Sequence, residues 1–238
     1  MKLFQQNHCL ICHQAILPDV GWQAIFSIEK EQLICKECER KFEKIDGETC
    51  RICSRPLHLL EEKFRHGDLC HDCFRWEGDE EWKGFLTENH SLFLYNDFLK
   101  KVMAKFKFRG DYILARGFAL YVKELVKNVD TDLFVPIPLS EERLYERGFN
   151  QAAAVLREAD LPSSEILTRI HSEKQSKKSR NERIHLPQVF NLKHNADIQG
   201  KKIILIDDIY TTGSTLRHAA KLLKQAGAES IHSLTIAR

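Results

Sequence analysis

Residues Lys202 to Thr215 read KIILIDDIYTTGST, and no other stretch of the chain narrows its fold as far. Four consecutive β-formers, Ile203 to Ile206, have the pattern of a strand buried on both faces, which belongs to a parallel sheet covered on each side. Two carboxylates, Asp207 and Asp208, follow at the carboxyl end of that strand. A loop of small and hydroxyl residues, Thr211-Thr212-Gly213-Ser214-Thr215, then runs into an amphipathic helix over Leu216 to Ala226. The helix start offers unpaired N–H groups and partial positive charge, which suits a phosphate. Gly213 allows close backbone approach, and the hydroxyls add donors. The two acids lie about one loop length away, where sugar hydroxyls could donate to them. A ribose 5-phosphate fits that order of groups. A Walker A loop does not, because no Gly lies five residues before a Gly-Lys-Ser/Thr.

The stretch also resembles the phosphoribosyl pyrophosphate (PRPP) signature of type I phosphoribosyltransferases: hydrophobic strand, acidic pair, two residues, then Thr-Thr-Gly-x-Thr. The resemblance implies that Asp207 and Asp208 hold the ribose hydroxyls at the catalytic centre. It likewise implies that Thr211, Thr212, Gly213, Ser214 and Thr215 cradle the 5-phosphate, with Mg2+ accompanying PRPP.

All eight cysteines fall between Cys9 and Cys73, as four C-x-x-C knuckles separated by 22, 11 and 16 residues. Two-residue spacing turns both thiolates of a knuckle toward one ion, and two knuckles complete a tetrahedral four-sulfur zinc site. Sequential pairing puts Cys9, Cys12, Cys35 and Cys38 on one zinc and Cys50, Cys53, Cys70 and Cys73 on another, a double zinc ribbon. An interleaved pairing satisfies the same spacing. Four thiolates leave no open coordination position, so both metals are structural. The nearby histidines, such as His8 and His71, are bystanders once the sulfur sets are full. The expected organisation is a zinc-ribbon unit over residues 1–80 and an α/β unit over 85–238.

The chain has 238 residues and a net charge of only +2, which announces no nucleic-acid partner by itself. No apolar run approaches the roughly 18–20 residues of a membrane span. Met1 to His8 contains no signal-peptide core, so the expectation is a cytoplasmic protein, at most peripheral at the inner face of the membrane.

Between the two marked regions, charged Glu77 to Lys83 reads as a connector, Ser91 to Tyr95 as a strand and Asp97 to Phe108 as a helix. That helix carries an apolar stripe (Phe98, Val102, Phe106) opposite Lys100, Lys101, Lys105 and Lys107, which read as a solvated face. A second helix is expected over Tyr112 to Lys127, then a buried strand at Leu133 to Val135 and a helix over Asn150 to Glu158. A final strand is expected over Ser230 to Ile236. VPIPLS, RLYERGFNQ (Arg143 to Gln151), KFRGD (Lys107 to Asp111), the ending Ile236-Ala237-Arg238 and the four knuckles together resemble the ComF family. These late-competence proteins are related to the phosphoribosyltransferase half of amidophosphoribosyltransferases. The resemblance places Pro136, Ile137, Pro138, Leu139, Ser140, Arg143 and Arg147 on the pyrophosphate side. Guanidinium groups suit that position. Basic, polar residues His171 to Asn195 match the family's flexible loop, with Gln175 and Arg183 in its pattern.

The resulting fold class is a type I phosphoribosyltransferase-like, Rossmann-like parallel sheet behind a small double zinc ribbon. The resemblance implies a role in DNA uptake and natural transformation, with PRPP and Mg2+ as ligand, single-stranded DNA as partner and association with the uptake helicase. Two other readings accompany it: an active phosphoribosyltransferase acting on an unknown base or amine, and a PRPP-sensing regulator that binds nucleic acid.

Overall fold

The computed structural model describes residues 7–16, 32–108, 111–170, 189–194 and 196–238. Its first elements are α1 (Lys36–Arg40), β1 (Arg65–His66), β2 (Leu69–Cys70), α2 (His71–Glu77), β3 (Glu88–Phe93), α3 (Asp97–Phe108) and α4 (Leu114–Val126). They are followed by β4 (Leu133–Pro136), α5 (Glu141–Arg147), α6 (Gln151–Glu158), β5 (Leu167–Arg169), β6 (Phe190–Leu192), β7 (Lys202–Ile209), α7 (Ser214–Gln225) and β8 (Ser230–Ala237).

The main sheet is four parallel strands in the order β3-β8-β7-β4. β7 lies inside it, and its side chains alternate between two cores, as period-2 geometry requires. Ile204 and Ile206 pack with α3, α4 and α6, whereas Ile203 and Leu205 pack with α7. The uninterrupted apolar run Ile203–Ile206 therefore feeds both faces, and the parallel α/β class expected from it is present. A separate antiparallel pair, β5 and β6, stands apart from the main sheet.

The cysteine-rich head is built into both cores. Cys9, Ile11, Leu33, Cys38 and Phe42 join the α3–α4–α6 side, and Cys50, Ile52, Cys53, Cys70 and Cys73 join the α7 side. Phe42 stacks on Phe93 with ring centroids 4.8 Å apart and meets Phe98 at 5.3 Å. The head also covers the outer edge of β3. The Asn89 N–H donates to Ile52 O (2.6 Å), the Ser54 hydroxyl donates to Asn89 O, and Leu94 N donates to Glu43 O. An edge strand left bare would present unpaired amides, and here knuckle residues occupy them.

Several expected elements hold and others shift. The helix Asp97–Phe108 is observed with those limits, and the helix read over 112–127 spans Leu114–Val126. The strand read at 91–95 instead spans Glu88–Phe93. Its polar start hid it, because Asn89 is buried by hydrogen bonds to Ser91 and Ser233 rather than by an apolar side chain. The supposed connector 77–83 is docked. Trp82 is buried at 4.6 Å from the His218 ring, and Lys221 of α7 pairs with Glu81 at 2.7 Å.

Phe42→Ala, in the head, should cost about 3–5 kcal/mol in the single unfolding transition of the whole chain, measured by urea denaturation with far-UV circular dichroism. A body transition left at its wild-type midpoint would contradict the shared core.

Candidate functional site

The described side chains of the candidate site gather at the carboxyl end of the sheet, where β4 and β7 stop. From Pro136, the last residue of β4, the chain passes through Ser140 into α5, whose first turn Ser140 caps by accepting from Arg143 N (3.3 Å). Gly148 ends α5 in the left-handed region (φ 77°), and Asn150 caps α6 by accepting from Ala152 N and Ala153 N. The Asn150 amide also donates to Ile137 O at 2.9 Å, which ties the Pro-x-Pro segment to the start of α6.

Asp207 and Asp208 follow the buried part of β7. Asp207 Oδ1 accepts from the Asp208 N–H (2.8 Å), and Asp208 Oδ2 pairs with Lys107 Nζ (2.8 Å) and Arg147 Nη1 (3.6 Å). The Asp208, Lys107 and Arg147 side chains are only 13%, 15% and 8% exposed, so these charges meet with little water between them. Arg147 further donates to Gln151 Oε1 at 2.9 Å. Burial holds the Arg147 pKa below its ordinary value, against the pull of Asp208. Arg169 on β5 lies 5.5 Å over the Phe190 ring, and burial together with the charge of Arg143 lowers its pKa while Asp207 opposes the shift. Burial, and then the charge of Asp208, push the Asp207 carboxyl up to about 7.

The loop from Thr211 to Thr215 turns into α7 at Gly213, which has φ 79°. A Cβ there would come within 2.1 Å of the Tyr210 hydroxyl, so both conformation and space demand glycine. Arg238 Nη1 donates to Tyr210 O (3.1 Å) and Thr211 O (3.0 Å), and Trp76 Nε1 donates to Thr212 O (3.0 Å). Three successive carbonyls thus each accept from a side-chain donor. Among the described residues no carbonyl accepts from the amides of Thr211, Thr212 and Gly213.

The cysteines gather into two tetrads, Cys9/Cys12/Cys35/Cys38 and Cys50/Cys53/Cys70/Cys73, each with its sulfurs within 4.8 Å of one another. The sequential pairing is the one formed. Sγ–Sγ distances of 3.7 Å (Cys12–Cys35) and 3.6 Å (Cys53–Cys70) are close to the about 3.8 Å that tetrahedral Zn–S bonds impose. Sulfurs this close share protons unequally. Hydrogen bonds from Cys53, Cys70 and Cys73 hold the Cys50 thiol far below its usual range, whereas the same contacts drive Cys73 upward. Both donor sets fit zinc, and Zn2+ would let all four thiolates coexist.

Residues 144–238 match the phosphoribosyl transferase domain family. Competence protein ComFC of Bacillus subtilis (strain 168) is 39% identical over 234 residues, covering 97% of this chain and 94% of that protein. The chain belongs to the ComFC family. ComFC of Streptococcus pneumoniae (strain ATCC BAA-255 / R6) is 32% identical over 97% of this chain and 99% of its own length. The DNA utilization protein YhgH of Escherichia coli (strain K12) is 29% identical over 45% of this chain and 49% of its own.

In this ComFC-family chain the acidic pair, the Thr loop, Pro136 to Ser140 and Arg147 converge on one end of the sheet, with exposed Arg143 at its margin. Gln175 and Arg183 lie outside the described residues. Lys107 corrects the reading of a solvated lysine face: it occupies the last turn of α3 and turns inward to Asp208. The KFRGD motif was its only signal. Lys105 is likewise engaged, donating to Ile11 O. Sequence reasoning missed Arg169 and Trp76, neither of which stands in a motif.

The Asp207 carboxyl rises from 3.8 to about 7 on folding, so the folded state holds its proton longer than the unfolded chain. Its contribution is greatest below about pH 4 and is lost as pH rises through about 7. Asp207→Asn should therefore raise the Tm of ligand-free protein at pH 8 and leave it nearly unchanged at pH 4. Asp208→Asn, which strands Lys107 and Arg147, should cost roughly 1–3 kcal/mol at pH 8. Differential scanning calorimetry at the two pH values checks both signs, and equal shifts would contradict the assignment.

Proposed function

We propose that this ComFC-family protein binds PRPP with Mg2+ at the carboxyl end of the sheet and serves in the handling of incoming single-stranded DNA during natural transformation. One observation carries the ligand: loop amides without a carbonyl partner among the described residues, an acidic pair and inward cations occupy the same end of the sheet. In this reading Asp207 and Asp208 take the ribose hydroxyls, and Thr211 to Thr215 take the 5-phosphate. Pro136 to Ser140, Arg143 and Arg147 face the diphosphate.

The oxygen donors suit a Mg2+ that arrives with the diphosphate rather than a resident ion. Two carboxylates alone do not fill an octahedral shell, and Asp208 is already paired with Lys107 and Arg147. Bound there, the ion would offset diphosphate charge. The names of the relatives, competence and DNA utilization proteins, support the biological half of the proposal. No helix among the described residues is long and apolar enough to cross a membrane.

Turnover is a second reading, supported by loop amides suited to a phosphate and by Arg147 beside the acidic pair at the same end of the sheet. Catalysis would then rest on positioning and charge stabilisation as pyrophosphate leaves.

Purified protein with Mg2+ and PRPP, offered nucleobases, ammonia or single-stranded oligonucleotides, should bind PRPP by titration calorimetry and lose binding in the Asp207→Asn/Asp208→Asn variant. Pyrophosphate release dependent on one acceptor would establish a transferase. Unchanged PRPP binding in the double variant would sink the site.

A further inference from the structure

Helix α2 carries Cys73 in its first turn, immediately after Cys70, and Trp76 and Glu77 in its last. The first pair belongs to the second cysteine tetrad, and the last pair grips the phosphate-loop region. Trp76 donates to Thr212 O (3.0 Å), and Glu77 Oε1 accepts from Arg217 Nη1 of α7 (2.7 Å). Seven residues make a helix too short to be stable alone, so its anchor at the cysteine end decides where Trp76 sits.

Arg238 supplies the other hold on the loop. Its guanidinium lies 4.6 Å over the Tyr210 ring and donates to the two carbonyls before Thr212 O. Arg238 Nε and Nη2, and Arg217 Nε and Nη2, are buried without a hydrogen-bond partner. A zinc ion with four thiolates carries two net negative charges, which suits the buried Arg217 and the part-buried Arg238, each with donors to spare.

A trans peptide points each C=O opposite the following N–H. Holding the carbonyls of Tyr210, Thr211 and Thr212 toward α2 and Arg238 therefore turns the amides of Thr211, Thr212 and Gly213 to the opposite side. Among the described residues those are the amides without carbonyl partners, an arrangement suited to an anion. The first tetrad has no such role, because its sulfurs pack with α3 and α4 on the opposite face of the sheet.

We propose that the second cysteine tetrad, holding its metal, sets the phosphate loop through Trp76 and Arg238, so that losing that metal, and not the first, disables phosphate binding. Trp76 and Arg238 are positioning residues. Their role in ligand binding rests on the phosphoribosyl reading above, whereas the mechanical coupling does not.

The test uses the full chain with two zinc ions and three readouts. These are zinc content, the heteronuclear 15N relaxation of the Thr211, Thr212 and Gly213 amides, and Mg2+–PRPP affinity. Trp76→Phe should keep both zinc ions yet mobilise those amides and weaken PRPP about tenfold, the size of one backbone hydrogen bond lost. Trp82→Phe, which removes a neighbouring buried indole 5.2 Å away with no bond to the loop, controls for lost packing and should leave the amides rigid. Stepwise chelation, with freed thiols mapped by alkylation, should mobilise the loop only when the second tetrad empties. If that step unfolds the chain, Trp76→Phe decides alone. Rigid loop amides in Trp76→Phe, or a loop equally disturbed by emptying the first tetrad, would overturn the proposal. A loop that responds as expected in a protein that does not bind PRPP would instead sink the phosphoribosyl reading and leave the coupling standing.

Discussion

A strand buried on both faces must be covered on both faces, and the rest of this structure answers that demand of β7. Helices α3, α4 and α6 cover one side, and α7 covers the other. The cysteine head covers the outer edge of β3. Its knuckles pair with the outer edge of β3, and its two tetrads enter the two cores. Metal ligation at these positions would stabilise more than a small appendage, because Cys9, Cys38 and the whole second tetrad belong to the same packed interior as the sheet.

The same geometry explains why the chemistry gathers where it does. Parallel strands that end together bring the tip of β4 beside the tip of β7, and α3 and α6 present Lys107 and Gln151 to that end. Asp208 pairs with two cations in a nearly dry setting, while burial and the charge of Asp208 push the neighbouring Asp207 carboxyl up to about 7. Two adjacent carboxylates thus have different environments, the usual means of giving like groups different roles.

Much of this was legible in the sequence because it was written in contiguous patterns. Ile203 to Ile206, the acidic pair and the Thr-Gly loop declare a strand, its end and a helix start, and the C-x-x-C spacing declares the tetrads. What stayed hidden arises from long-range packing. Lys107 shares a helix with three other lysines, and only the tertiary position of the last turn of α3 separates it from them. Trp76 and Arg238 lie 136 and 27 residues from their loop carbonyl partners, and no local pattern links them. β3 was displaced because a buried Asn89 in a hydrogen-bonded network looks, in sequence, like a loop residue.

In the proposed reading, one phosphoribosyl group is held between the end of β7 and the start of α7. A crystal structure of the full chain soaked with PRPP and Mg2+ tests it most directly. The expected electron density has the 5-phosphate on the amides of Thr211 to Thr215, the ribose hydroxyls at Asp207 and Asp208, and the diphosphate toward Ile137 and Arg147. A phosphate bound elsewhere, with this loop empty at saturating PRPP, would contradict it.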